Sequence, residues 1–285
     1  MDLVDPRAIA RFRRNRGAFA GLFIVVLAVF LSALAPLLAP HDPDTPFKSR
    51  TLTTQGVPIG PTREFPLGAD AVGRCELSRL LYGGRVSLVV AFAATTIVVI
   101  LGTLVGLISG YFGGATDTAL MRLVDALMTF PFMLTVMALN RVVHRPGLWV
   151  VFVVLGALSW LSLARQVRAR TLQLKEQEFV LAARALGASS GRILARHILP
   201  NLATLVIVIS TSVVAQMILA ESALSMLGVG VVPPTASWGS MLQESESLTR
   251  AVPQLTLLPG FAILLTVVGF NLLGEGLRDA FDPRS

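Results

Sequence analysis

The residue types that most often carry out catalysis are few in this sequence and do not cluster. Its histidines are scattered, and no group of His, Asp and Glu has the spacing of metal ligands. Cys75 is the only cysteine, which excludes an intrachain disulfide and a cysteine-based metal cluster. Ser222 and Ser225 have no His–acid pair placed to activate them. We therefore predict neither a catalytic residue nor a metal site.

The two lysines do not belong to a phosphate-binding loop. Such loops follow the pattern G-x-x-x-x-G-K-[ST], in which the lysine reaches the nucleotide phosphates. Lys48 follows Phe47 and Lys175 precedes Glu176, so neither lysine fits the pattern. We therefore expect that this chain holds no cofactor and does not hydrolyse ATP.

One stretch has instead the composition of a docking surface. It is EFVLAARALGASSGRILARHILPN, residues 178–201, which we call the hairpin, and it separates two long apolar runs. The spacing predicts a helix over Glu176–Leu186 with a small apolar face at i, i+3, i+4 and i+7. The residues on that face are Phe179, Ala182, Ala183 and Leu186.

A second helix is expected after Gly187, which interrupts the first. Ser189 or Ser190 would cap it, and it would run to Leu199 before Pro200 ends it or starts another element. Small side chains allow close approach to another surface, and the arginines offer charge-assisted hydrogen bonds to acidic groups there. The candidate contact residues are Glu178, Ala182, Ala183, Arg184, Leu186, Gly187, Ala188, Ser189 and Pro200. The alternative is a hairpin resting on anionic lipid headgroups, which would not require small residues.

The elements around the hairpin must be membrane spans. The chain has 285 residues, of which 54% are hydrophobic and 14% charged, whereas soluble domains have about 25% charged residues. The net charge of +7 could suggest nucleic acid, but no aromatic-interleaved basic patch is present, so we expect no nucleic-acid partner. Six runs approach the length of about 20 apolar residues that a spanning helix needs. They are Gly17–Leu38, Val86–Gly110, Thr118–Leu139, Leu148–Ala164, Leu202–Ala220 and Leu255–Leu277.

Two of these runs allow a second interpretation. The first could be a cleaved signal peptide, but its apolar stretch exceeds the usual h-region of about 7–15 residues. The third contains Arg122 and Asp125, whose i, i+3 spacing predicts a structural ion pair near the membrane interface. A buried proton or ion relay is the other possibility for that pair.

The distribution of Arg and Lys in the loops predicts a cytoplasmic N-terminus and C-terminus. The predicted parts are a cytoplasmic segment 1–16, a first span 17–38, an extracytoplasmic segment 39–85, a five-helix core 86–277 and a cytoplasmic tail 278–285. The cytoplasmic loop 165–201 within the core contains the hairpin.

The hairpin also carries a family resemblance. Ala182-Ala183, then Gly187, then Leu199-Pro200 resembles the EAA loop of ABC importer permeases, A-A-x3-G-x11-L-P. Four further stretches resemble the second permease of dipeptide and oligopeptide importers, a group that includes nickel and glutathione importers. They are PLGADAVGRCELSRLLYGGRVSL (66–88), GYFGGATDTALMRLVDALMTFPF (110–132), ESALSMLGVGVVPPTASWGSML (221–242) and NLLGEGLRDAFDPR (271–284).

The resemblance implies an all-α, six-span permease of the type I ABC importer fold in the bacterial inner membrane. The implied partners are a second homologous permease, two cytoplasmic ATPase subunits or domains that bind the ATP, an extracytoplasmic peptide-binding protein, and membrane lipid. In that family the hairpin forms the coupling helix that docks into the ATPase. Three positions depart from the pattern: Leu181 replaces the Glu of EAA, Phe65 replaces a common His, and Cys75 replaces an acid.

Two other classes of function remain as alternatives. An ATP-independent secondary transporter predicts inverted repeats and ionisable residues at the membrane midplane, and neither is clear in the sequence. An intramembrane enzyme would need converging catalytic residues, which the sequence does not offer. The cargo, whether dipeptide, oligopeptide, glutathione or nickel chelate, is left open.

Overall fold

The computed structural model describes residues 11–13, 15–142 and 148–281, which form a bundle of helices. Short helical turns at Ala35–Leu38, Lys48–Thr51 and Glu246–Leu248 lie in or beside the connecting segments. The longer helices are α1 (Arg16–Ala33), α2 (Glu76–Phe112), α3 (Gly114–Met128), α4 (Phe132–Val142), α5 (Leu148–Ser159), α6 (Leu161–Leu174), α7 (Glu178–Ala185), α8 (Ser190–Met226), α9 (Trp238–Ser245) and α10 (Gln254–Phe281).

In the described part of the chain, α1, α2, α8 and α10 are long and apolar enough to cross a membrane, and so are α5 and α6 taken together as Val150–Leu174. A bent pair can supply a sixth span. That pair is α3 and α4, whose axes meet at 83°. Pro131 lies at the break, where it lacks an N–H group and its ring cannot fit a continuous helix. The all-helical membrane fold predicted from the sequence is confirmed, and the third predicted span is broken in the middle.

Several helix boundaries differ from those expected. Helix α2 begins at Glu76, ten residues before the expected start of the second span at Val86. At about 1.5 Å per residue it is roughly 55 Å long, so it extends beyond a hydrocarbon core of about 30 Å. The boundaries of the segments relative to the lipid therefore stay a prediction.

The element expected to stop near Leu199 does not stop there. Helix α8 runs without interruption from Ser190 to Met226, and Pro200 lies inside it. A π turn at Leu194–Ile198 directly precedes the proline and changes the hydrogen-bond pattern where Pro200 supplies no N–H. The second half of the hairpin is therefore the first part of a membrane span.

A row of glycines brings helices α2 and α6 into close contact. A Cβ atom placed on Gly102 would lie 2.9 Å from Leu163 Cβ, and one on Gly106 would lie 2.5 Å from the Ala164 carbonyl oxygen. A Cβ on Gly110 would lie 2.7 Å from Thr171 Cβ. Gly102 and Gly106 have the G-x-x-x-G spacing that allows helices to pack closely, and this face continues for one more turn to Gly110.

The bundle has two distinct ends. The hairpin and both ends of the described chain share one of them, where Asn15 donates a hydrogen bond of 3.1 Å to Asp279. We call this the hairpin end. The opposite end carries segment 39–75, which folds back on itself through isolated bridges such as Ala69 with Cys75, and the loop that contains α9. Cys75 is fully buried there.

The contact between α2 and α6 generates the first testable expectation. Gly106→Ala should lower the thermal unfolding temperature of the purified protein, because the added methyl group meets a backbone carbonyl that cannot move aside. Overpacking of this kind costs about 1–3 kcal/mol. Gly260→Ala in α10 is the matched control, since its Cβ would meet only Leu242 Cδ2 at 3.9 Å. Equal unfolding temperatures for the two variants would contradict the close contact.

Candidate docking hairpin and the cavity behind it

Helix α7 ends in a turn that requires glycine. Gly187 has φ +78°, and its N–H donates to the Arg184 carbonyl at 3.0 Å. The N–H of Ala188 donates to the Ala183 carbonyl at 3.0 Å, which completes a Schellman motif. A Cβ on Gly187 would meet no atom within 4 Å, so the backbone conformation alone accounts for glycine within this chain.

The apolar face expected on the first helix of the hairpin is divided between two sides. Ala183 packs inward beside Val180, which is fully buried. Phe179, Ala182 and Leu186 face outward, and the side chain of Leu186 is 88% exposed. The expectation of one shared face was wrong for Ala183, because a helix of eight residues can bury only one narrow side. The outward residues form an apolar surface that the rest of the described chain leaves uncovered.

Two of the expected contacts within the hairpin take a different form. The Arg184 guanidinium carbon lies 5.8 Å from the centre of the Tyr111 ring, which attaches α7 to the end of α2. Ser189 precedes the first residue of α8, as expected of a cap, but its side chain makes no capping hydrogen bond. Arg184 therefore already has a partner within the chain.

The other candidate residues are placed along the same surface. Glu178 is the first residue of α7 and is exposed, and Ala188 in the turn is half-buried. Pro200 is exposed but lies in the third turn of α8, away from the tip of the hairpin. Leu181, which stands where the family pattern has Glu, is 43% exposed. A role of these residues in docking stays a prediction.

Two ion pairs join helix α3 to helix α6, which leads into the hairpin. Arg168 donates from Nε to Asp117 Oδ1 at 2.6 Å and from Nη2 to Asp117 Oδ2 at 2.5 Å. Asp117 also accepts a hydrogen bond from Ser109 of α2. Asp125 pairs with Arg165. The expected pair of Asp125 with Arg122 was wrong, because an arginine of a neighbouring helix reaches the carboxylate instead.

An open cavity of about 570 Å³ lies where two helices are interrupted. Its wall includes the break between α3 and α4, the break between α5 and α6, and the C-terminal third of α8. Non-helical backbone at membrane depth is tolerated where protein or a water-filled cavity satisfies its polar groups. No charged side chain is among the lining residues that the structure describes, which include Met128, Thr135, Ser162, Gln216 and Met217.

A buried charge cluster holds the opposite end together. Arg79 is fully buried, donates from Nη2 to Glu244 at 2.9 Å, and lies 3.2 Å from Asp70. Arg74 donates to Asp70 at 2.6 Å and to Glu244 at 2.5 Å. The cluster thus connects segment 39–75, the start of α2 and helix α9. The cluster could not be predicted from local sequence because its partners are up to 170 residues apart, although Asp70, Arg74 and Arg79 all lie in the quoted stretch 66–88.

A second buried carboxylate fastens the loop before α9. Glu221 accepts hydrogen bonds from Ser87 at 3.0 Å and from Ser225 at 2.8 Å. Ser87 in turn accepts from the backbone N–H of Trp238 at 3.1 Å. The Trp238 ring is buried and donates to the Leu80 carbonyl at 3.0 Å, so this residue is a packing residue of the loop. No catalytic partner was predicted for Ser222 or Ser225. Ser225 belongs to this structural network, and the Ser222 hydroxyl donates to the Ile218 carbonyl of its own helix.

The turn of the hairpin generates the second testable expectation. Gly187→Ala should loosen the hairpin, since a non-glycine residue with positive φ costs about 1–2 kcal/mol. The population of opened hairpin should rise roughly 5- to 30-fold, and trypsin should cleave at Arg184 and Arg192 faster by a similar factor. Gly191→Ala is the control, because Gly191 lacks a positive φ and also has no atom within 4 Å of its Cβ position. Equal cleavage rates in the two variants would contradict this reason for Gly187.

Comparison with known proteins agrees with this architecture. Residues 102–285 match the family described as "Binding-protein-dependent transport system inner membrane component", and residues 7–55 match the "N-terminal TM domain of oligopeptide transport permease C". An oligopeptide transport system permease protein of Haemophilus influenzae is 40% identical over 277 residues, which cover 96% of this chain and 86% of that protein. A dipeptide transport system permease protein of Bacillus subtilis is 38% identical over 275 residues, which cover 96% and 84%. The chain therefore belongs to the family of binding-protein-dependent transport system inner membrane components.

Proposed function

We propose that this chain is a transmembrane permease subunit of an ATP-driven importer of dipeptides or oligopeptides. The similar proteins are named as oligopeptide and dipeptide transport permeases, which supports a peptide cargo here. The observation that carries the mechanism is the hairpin. It presents small residues and the 88% exposed Leu186 at one end of a helical bundle, and none of the described residues covers them.

The occupant of that surface is a cytoplasmic ATPase subunit. A second, homologous permease would complete the transmembrane pathway, two ATPases would bind and hydrolyse the ATP, and a binding protein would deliver the peptide. The excess of arginine at the hairpin end supports placing this end and both termini in the cytoplasm. The opposite end would then face the binding protein.

The cavity is the part of this chain that would line the pathway. Its wall combines apolar side chains with the neutral polar groups of Thr135, Ser162 and Gln216. Such a wall can contact peptides of different sequence, and it would not bind a charged side chain of the peptide tightly. Met128 and Met217 are flexible and adapt to ligands of different shape. ATP binding and hydrolysis would shift the permease pair between inward-facing and outward-facing states.

Docking of the hairpin can be tested at Leu186. Leu186→Ser should reduce recovery of the ATPase with the purified permease pair. The Leu186 side chain is exposed in this chain alone and would be buried against the ATPase in the complex, and serine cannot supply that apolar contact. Full burial of a leucine contributes about 1.5–3 kcal/mol, so the affinity should fall roughly 10- to 150-fold. Peptide uptake into proteoliposomes should fall with it.

Leu37→Ser is the matched control for that experiment. Leu37 is 81% exposed at the opposite end of the bundle, so ATPase recovery should not change. Normal ATPase recovery and normal uptake with Leu186→Ser would contradict docking at this surface. Weaker binding to anionic vesicles, with ATPase recovery intact, would favour a hairpin that rests on lipid.

The orientation can be tested by labelling introduced cysteines. Thr54→Cys places a thiol on an exposed position of segment 39–75, and Ser189→Cys places one on the hairpin. The native Cys75 thiol is buried and should react little. A membrane-impermeant maleimide should label Thr54→Cys in intact cells, but Ser189→Cys only after the membrane is opened. The reverse pattern would contradict a cytoplasmic hairpin.

A further inference from the structure

We propose that Arg168 and Arg165, paired with Asp117 and Asp125, are positioning residues that make the cavity wall follow the hairpin. The proposal rests on the function proposed above and adds residues that carry motion from the ATPase to the pathway. These ion pairs connect α3 to α6. The C-terminal end of α3 forms part of the cavity wall, and the C-terminal end of α6 leads into the hairpin.

Helix α3 has little apolar packing to hold it in place. Val124 is the only buried residue of α3. By contrast, α6 buries residues along its whole length, among them Leu163, Ala164, Val167 and Thr171. Within this chain, α3 is therefore positioned mainly by polar contacts.

The connection before α3 allows rotation. Gly113 and Gly114 join α2 to α3 with φ +66° and +53°, a region that other residues rarely adopt. A Cβ on Gly113 would come no nearer than 3.9 Å to Lys175 Nζ, and a Cβ on Gly114 would meet nothing within 4 Å. No side chain fills the space at these two glycines, so a change of angle there meets mainly the helix-end hydrogen bonds, such as that from the Gly113 N–H to the Ser109 carbonyl at 3.1 Å.

The ion pairs remove that freedom. Arg168 binds Asp117 with two hydrogen bonds of 2.5 and 2.6 Å, a bidentate geometry that fixes angle as well as distance. Ser109 of α2 binds the same carboxylate, so that α2, α3 and α6 meet at Asp117. Asp125 and Arg165 add a second attachment two turns further along α3. The Asp125 and Arg165 side chains are 60% and 47% exposed, so this second attachment is the weaker one, and it opposes pivoting of α3 about Asp117.

The glycine contact explains why this attachment transmits motion. Helices α2 and α6 approach so closely at Gly106 and Gly110 that they must move as one body. With α3 attached to that body, a displacement of the hairpin displaces Leu127 and Met128 in the cavity wall. Without the ion pairs, α3 would pivot at Gly113–Gly114, and the wall would no longer follow the hairpin.

The test is the ratio of peptide transported to ATP hydrolysed by the complete importer in proteoliposomes. Asp117→Arg and Arg168→Asp should each lower this ratio by about 10-fold, as expected for loss of a charged, partly buried hydrogen-bonded pair. ATPase recovery should stay normal, since neither residue lies in the hairpin. The double variant Asp117→Arg with Arg168→Asp should restore the ratio, because it re-forms the pair with the charges exchanged.

Milder variants and a control complete the experiment. Asp117→Asn and Arg168→Gln avoid like-charge repulsion and should lower the ratio in the same direction if the stronger variants do not assemble. Arg122→Gln is the control, because Arg122 is an exposed arginine of α3 that belongs to neither attachment, so the ratio should stay unchanged.

The outcomes separate the two proposals. An unchanged ratio in the assembled single variants, or a lowered ratio that the exchanged pair does not restore, would overturn the positioning role. Failure of the unaltered chain to recover ATPase or to support ATP-dependent uptake would overturn the proposed function itself. A lowered ratio that is restored by the exchanged pair would support the positioning role.

Discussion

The close approach of α2 and α6 is the constraint on which the rest of the structure depends. Backbone atoms of one helix occupy the space of missing side chains on the other, so that neither helix can rotate or slide by itself. Lipid offers no hydrophobic driving force for helix association, and the contact is held by van der Waals packing along the row of glycines. The hairpin leaves from the end of this pair, and its position is therefore set by the pair.

The parts of the bundle that are not packed in this way are held by polar contacts. Helix α3 is attached through carboxylate–guanidinium pairs, and α9 is fastened by Glu244 toward its C-terminal end and by the Ser87–Glu221 network at its N-terminal end. Such contacts are directional and depend on geometry, whereas apolar packing is not directional. The division gives the molecule a rigid centre with attached elements toward both ends of the bundle.

Much of this fold could be predicted from local sequence, because membrane spans are recognised by length and apolar composition. The break at Pro131 could be expected, but its angle of 83° depends on which neighbouring helices fill the space. The start of α2 at Glu76 was missed because its first turns are polar, and they are stabilised by a buried cluster whose partners lie far apart in sequence. The sequence prediction paired Asp125 with Arg122, the nearest arginine, whereas its partner in the structure is Arg165, 40 residues away on α6. Gly187 was expected to be glycine because a partner packs closely against it, yet its positive φ by itself requires glycine.

The most direct measurement of the central claim is the distance between the hairpin and α3 during the ATP cycle. Spin labels at Ser189 in the hairpin and at Leu123, which is 51% exposed on α3, would report it by pulsed electron paramagnetic resonance in the complete importer. A third sample with labels on the two ATPases would show that the nucleotide state has changed. If α2, α3, α6 and the hairpin form one body, the Ser189–Leu123 distance stays the same in the nucleotide-free and ATP-trapped states. A distance that changes between those states, while the ATPases close, would contradict the claim.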